Sequence, residues 1–150
     1  MKSQATTYLA LNSYTKLMRA AESVTARISR IMAAYDLTIS QFGVLEALHH
    51  KGPLCQKDIA AKILKSTGNI TMVIDNLERR GLVRRERHSG DRRYFTIFPT
   101  AVGEKLIAVS FAEVQAAIVK EMESLTATEQ KTLGCLCKKL GLQAGKQENP

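Results

Sequence analysis

Residues 54–100 constrain the fold of this chain more than any other segment. A short helical pattern over Gln56–Leu64 is followed by a second over Thr67–Arg80, and then by Gly81. Next come two alternating runs, Leu82–Arg87 and Tyr94–Phe98, joined through Ser89-Gly90-Asp91, which is the pattern of a hairpin. Seven arginines stand between Arg79 and Arg93 against two acids. Helix, turn, helix and a basic two-stranded flap lay one helix in a major groove with arginines beside it. The expected partner is double-stranded DNA.

A formal net charge of +8 and a pI near 9.6 favour a polyanion without naming one. The arginine cluster makes the choice. At 150 residues the chain is long enough for one domain, 1–150, that folds without staples. Cys55, Cys135 and Cys137 are too few and too irregular for a disulfide framework. Met1–Ala5 lacks a signal-peptide core, and no apolar run reaches the roughly 20 residues that span a bilayer. A cytoplasmic protein with no membrane partner and no cofactor is expected.

The first glycine is Gly43 and the first proline Pro53, so the N-terminal third is free of breakers. Tyr14, Leu17, Met18, Ala21, Val24, Ile28, Ile31, Met32 and Tyr35 recur at three- and four-residue steps, which predicts one helix over 5–35. Asp36-Leu37 interrupts it, and Thr38 with Gln41 is a capping box for a second helix whose inner stripe is Phe42, Leu45 and Leu48. Ile59, Ala60 and Ile63 form the inner face of the third helix, and Ile70, Val73, Ile74 and Leu77 that of the fourth. Phe95 or Phe98 is needed for the inner face of the hairpin. Thr100 caps a fifth helix, and Thr126 with Glu129 opens a sixth, on which Cys135 and Cys137 read as packing residues. The tail 141–150 is expected to be frayed. Leu106, Ile107, Val109, Phe111, Val114, Ile118, Val119 and Met122 cover more of the fifth helix than a one-sided helix needs, so the surplus is expected to pack on a second subunit with the first and sixth helices. The fold class is therefore mainly α: an α+β winged helix of six helices with a two- or three-stranded wing, its winged helix-turn-helix DNA-binding region at 38–99 lying between dimerisation helices at 5–35 and 101–141.

A recognition helix needs short polar groups near its N-terminus. Ser66, Thr67, Gly68, Asn69, Thr71, Met72 and Asn76 qualify. Asn69 can pair with adenine and Met72 can lie on thymine methyls, although the same residues also suit a solvated, Ser/Thr-capped helix start. At the wing tip Arg93 suits a narrow minor groove, with Asp91 to orient it. Arg84, Arg85, Arg87 and Arg92 are phosphate contacts or solvated charges. Arg79 and Arg80 reach phosphate or complement the helix dipole.

With these residues the chain resembles the MarR (multiple antibiotic resistance regulator) family of winged-helix transcription factors over about residues 10–140. The carriers are Leu37-Thr38-Ile39-Ser40-Gln41-Phe42, Ile70-Thr71…Leu77-Glu78-Arg79-Arg80-Gly81-Leu82-Val83, Asp91-Arg92-Arg93 and Pro99-Thr100…Gly103. The resemblance implies a homodimer joined through its first, fifth and sixth helices. It also implies a pseudo-palindromic operator, and repression relieved by a small phenolic ligand or by cysteine oxidation. Asp75 departs from the pattern, standing where many members carry a base. So do Cys55, at the third helix's cap where Ser or Thr is common, and Pro99, in place of a usual Leu. A pocket between the dimer helices and the winged region, again implied by the resemblance, would be lined by Met18, Tyr35, Leu45, His49 and Phe111, with Arg85 for a carboxylate.

Cys55 at a helix N-terminus, with Lys51 and Lys57 nearby, is a candidate redox residue or a small buried or capping residue. His49, His50 and Cys55 lack metal-ligand spacing, and no metal is expected. The histidines at 49, 50 and 88 form no nucleophile–base constellation, so no enzyme is expected. RNA readers rely on aromatic platforms, which this chain lacks beyond Tyr94, Phe95 and Phe98. The remaining alternative is a non-specific architectural binder, separable by its lack of sequence preference.

Overall fold

The structure, a computed structural model, describes residues 3–63, 67–88, 90–91 and 94–142, with backbone alone at 67 and 68. The described elements are α1 (Gln4–Ala33), α2 (Ile39–Lys51), β1 (Leu54–Cys55), α3 (Gln56–Lys62), α4 (Thr67–Arg79), β2 (Val83–Arg87), β3 (Phe95–Pro99), α5 (Ala101–Met122) and α6 (Ala127–Gly141). The architecture is mainly helical with one antiparallel sheet in the order β1-β3-β2, so the wing has three strands. Contacts group the chain into two compact units, residues 1–115 and 116–150.

In the first unit α1 ends where Asp36 takes a left-handed φ of 54°, and the Leu37 amide returns to the Met32 carbonyl at 3.1 Å. The expected capping box then starts α2: the Gln41 amide donates to Thr38 Oγ1 at 3.1 Å, and the Thr38 amide to Gln41 Oε1 at 3.0 Å. Phe42, Leu45 and Leu48 are buried as expected, and so are Val44 and Ala47. The wider stripe follows from α2's position, packed by α1, α3, α4 and β3 together.

Ile70, Ile74 and Leu77 on α4 are fully buried. Each contributes on the order of 2 kcal/mol, so burial of this face determines which side of α4 faces outward. Gly81, at φ 70°, ends the helix: its amide reaches the Glu78 carbonyl and the Leu82 amide reaches the Leu77 carbonyl, both at 2.9 Å. The chain enters β2, whose register on β3 pairs Val83 with Pro99, Arg85 with Ile97 and Arg87 with Phe95. Ile97 is fully buried on the inner face of β3, and Phe95, two residues before it, shares the side expected of Phe95 or Phe98; both phenylalanines are half-buried. The alternation of strand side chains puts residue 97 inward and residue 98 outward.

Thr100 caps α5 as expected, accepting from the Gly103 amide at 3.1 Å and donating to the Gly81 carbonyl at 2.6 Å. A Cβ on Gly103 would stand 2.1 Å from the Leu82 carbonyl oxygen, so the glycine permits the close approach of α5 to the start of the wing. Gly103, Ile107, Ser110 and Val114 face inward, and Ser110 is satisfied within its own helix at the Leu106 carbonyl, 2.8 Å. Val102 and Val109 on the same helix are exposed, as are Tyr8, Leu9, Leu11, Tyr14 and Met18 on α1.

In the second unit the Thr126–Glu129 capping box opens α6, and Gln130 Nε2 closes the preceding turn by donating to the Met122 and Leu125 carbonyls. Ile118, Val119, Leu133, Leu136, Leu140 and Leu142 are all exposed. Cys135 and Cys137 are exposed too, because α6 buries none of its residues within this chain. Among the described residues no helix is long and apolar enough to cross a membrane.

Candidate nucleic-acid interface

On α4, Met72, Asp75, Asn76 and Arg79 stand at i, i+3, i+4 and i+7, opposite the buried stripe. Met72 is 65% exposed, and Asn69 and Thr71 are exposed nearby. Arg79 Nη1 donates to Asn76 Oδ1 at 3.1 Å, tying two of these side chains together. Thr71 Oγ1 accepts from Gln56 Nε2 at 2.6 Å, which braces α4 against the start of α3. Thr67 and Gly68 form the first turn of α4. Ser66, Arg92 and Arg93 lie outside the described residues, as do Ser89 and the tail from 143.

The wing arginines divide by partner. Arg84 pairs with Glu86 and lies over the Phe98 ring at 4.4 Å, while Arg87 lies 5.8 Å from the Phe95 ring centroid. Both remain exposed. Asp91, at the tip, accepts the Tyr94 amide at its carbonyl, 3.2 Å. Arg80 donates to the Asp36 carbonyl at 2.5 Å, at the end of α1. Arg85 turns onto α4, where Nη2 meets Asp75 Oδ1 at 2.5 Å and Nη1 meets Glu78 Oε2 at 2.6 Å. Its backbone amide also reaches Glu78 Oε1, at 3.3 Å.

Arg85, expected to meet a ligand's carboxylate, is instead paired with two carboxylates of its own chain. Leu45 is a second correction. At 1% exposure it is core, because α2 is covered on several sides. The other proposed lining residues remain accessible. Tyr35 bonds to the Glu113 carboxylate, and this bond, with partial burial and the acid's charge, holds its phenol above its ordinary pKa. His49 Nδ1 lies 2.8 Å from Glu104 Oε2. His50 bonds back to Glu46 and packs edge-on to Phe111 at 4.8 Å. Met18 is 48% exposed.

Cys55 occupies the cap position of α3 without a side-chain cap bond. It is half-exposed and borders a surface cavity of about 510 Å³ with His88, Gly90, Asp91 and Tyr94. Among the described residues no three His, Cys, Asp or Glu side chains are grouped to hold a metal.

The family model for the MarR family matches residues 37–95, the stretch from α2 through β2 to the first residue of β3. An HTH-type transcriptional regulator of Bacillus subtilis, YkoM, is 31% identical over 135 residues, covering 90% of this chain and 88% of its own. The chain belongs to the MarR family. It is therefore a DNA-binding transcriptional regulator of the winged-helix type. Its fold agrees with that of AbsC, a MarR family regulator from Streptomyces coelicolor, with a TM-score of 0.85 at 18% identity over 91% of this chain and 95% of AbsC. NadR is similar at a TM-score of 0.70 and 27% identity, over 84% and 89% of the two chains.

Within this MarR chain, sequence reasoning missed β1 and the Asp75–Arg85–Glu78 clamp. β1 has two residues, too short for a periodic signal. The clamp joins residues seven and ten positions apart across a turn. The signal available was Asp75 itself, an acid among outward-facing recognition-helix positions.

Proposed function

We propose that the protein is a homodimeric, sequence-specific repressor that binds a pseudo-palindromic operator through α4 and the wing, as a single MarR-type domain in the cytoplasm. The observation that carries this reading is the outward ridge of α4, Met72 to Arg79, raised on a fully buried opposite face beside a basic hairpin. Asn69, Thr71, Met72 and Asn76, with Ser66, Thr67 and Gly68 at the helix start, serve the major groove. Arg79, Arg84, Arg87 and Arg92 serve phosphates, and Arg93, oriented by Asp91, serves the minor groove. The exposed apolar residues of α1, α5 and α6 support a second subunit as their cover, at 5–35 and 101–141.

A small phenolic or aromatic acid is the proposed release signal. NadR, at 27% identity, has been crystallised with 4-hydroxyphenylacetate, and Tyr35, His49, Met18 and Phe111 remain accessible for such a ligand here. Oxidation at Cys55 is a second reading, favoured by the accessible thiol beside the wing cavity.

Selection of bound sequences from a random duplex pool tests the core of the proposal. Enrichment of an inverted repeat with half-sites about 10 bp apart supports a dimeric repressor. Binding without an enriched motif refutes it in favour of an architectural protein. Titration of the selected duplex complex with 4-hydroxyphenylacetate, and separately with peroxide on wild type and Cys55→Ser, distinguishes the two release signals.

A further inference from the structure

Asp75 lies in the middle of the outward ridge of α4, with a side chain 48% exposed. An acid there faces a polyanion and weakens binding unless it meets a donor. Its geometry is restrained. Arg85 Nη2 holds Oδ1 at 2.5 Å, and the guanidinium is itself held by Glu78 at 2.6 Å and by the Thr71 carbonyl at 3.4 Å. Arg85 is only 16% exposed, so it positions the acid and does not present its charge to DNA. Two carboxylates against one guanidinium leave this patch one unit negative. Among the described residues nothing bonds to Oδ2, the second oxygen of Asp75.

We propose that Asp75 is a specificity-determining residue whose Oδ2 accepts the exocyclic amine of a cytosine in the operator's major groove, with Arg85 as its positioning residue. Cytosine presents N4–H₂ as a donor at its major-groove edge with no acceptor of its own beside it, adenine sets its N6–H₂ next to the N7 acceptor, and the keto oxygens of guanine and thymine meet a carboxylate as acceptor against acceptor. The residue thus acts by attraction to one base and by repulsion of others. This inference rests on the DNA-binding reading and adds a base to it.

The test repeats the pool selection, at one salt concentration, with wild type, Asp75→Ala and Asp75→Asn. The wild-type half-site is expected to carry one cytosine that Asp75→Ala no longer prefers, with discrimination at that position falling about tenfold and the other positions intact. Asp75→Asn keeps an oxygen for Arg85 and offers an amine outward. It is expected to move the preference at that same position to a base presenting an acceptor. A uniform loss of affinity with the motif unchanged would reduce Asp75 to a brace for Arg85 and overturn the proposal, as would three identical motifs at full affinity. A wild type that selects no motif at all overturns the operator reading itself, and this inference with it.

Discussion

Replacement of Gly103 by Ala tests the joint between the wing and α5. An alanine Cβ would stand 2.1 Å from the Leu82 carbonyl oxygen, where real Cβ atoms essentially never come within 3.0 Å. The blocking atom is backbone, so α5 and the start of β2 must separate by about 0.9 Å. The same oxygen accepts the Thr100 amide at 3.1 Å, and Thr100 Oγ1 donates to the Gly81 carbonyl next to it at 2.6 Å. Separation removes the first bond and stretches the second, each contributing about 1 kcal/mol. Overpacking adds roughly 1–3 kcal/mol. The better helix propensity of Ala offsets about 1 kcal/mol. The net expectation is a loss of about 3 kcal/mol, seen as an earlier urea midpoint with unchanged m-value at fixed protein concentration. A Gly103→Ala protein within about 0.5 kcal/mol of wild type would refute the close-approach argument. As a control, Ser110→Ala on the same helix removes a hydroxyl bonded only within its own helix and should cost less than about 1 kcal/mol.

Arg93→Ala should weaken operator binding by about 1–3 kcal/mol with the circular dichroism spectrum unchanged; equal affinity would remove Arg93 from the interface. Leu136→Asp, at a position 59% exposed in the single chain, should convert the dimer to monomer in sedimentation, and a persisting dimer would place the interface elsewhere. Val114 cannot serve for that test, since at 1% exposure its replacement by Asp would unfold the chain. The phenol of Tyr35 is held above its ordinary pKa near 10, so its contribution to stability is complete below that pH and lost as pH rises through the higher folded value. Glu113→Gln should bring its phenolate absorbance transition back towards pH 10; an unmoved transition would show that the two groups do not interact.

The identity of the helices was legible because their determinants are local. Thr38 with Gln41 and Thr126 with Glu129 announce helix starts, and the three- and four-residue steps of Ile70, Ile74 and Leu77 determine which side of α4 is buried. The outward set on α4, including Met72, Asp75 and Asn76, followed from the same periodicity. The assignment of partners was not legible, because it depends on which distant residues the fold brings together. Five arginines from Arg79 to Arg87 look alike in sequence. Only the closure of the hairpin on α4 commits Arg85 to Asp75 and Glu78, only the end of α1 recruits Arg80, and only strand register lays Arg84 over Phe98. Leu45 carried the same ambiguity: a hydrophobic residue on a helix can line a cavity or fill a core, and the enclosure of α2 decided for the core. Local chemistry by itself determined that this chain makes a winged helix with a basic flap. Tertiary packing decided which of its charges remain available to DNA, because an ion pair at 2.5 Å depends on approach in space and leaves no period in the sequence.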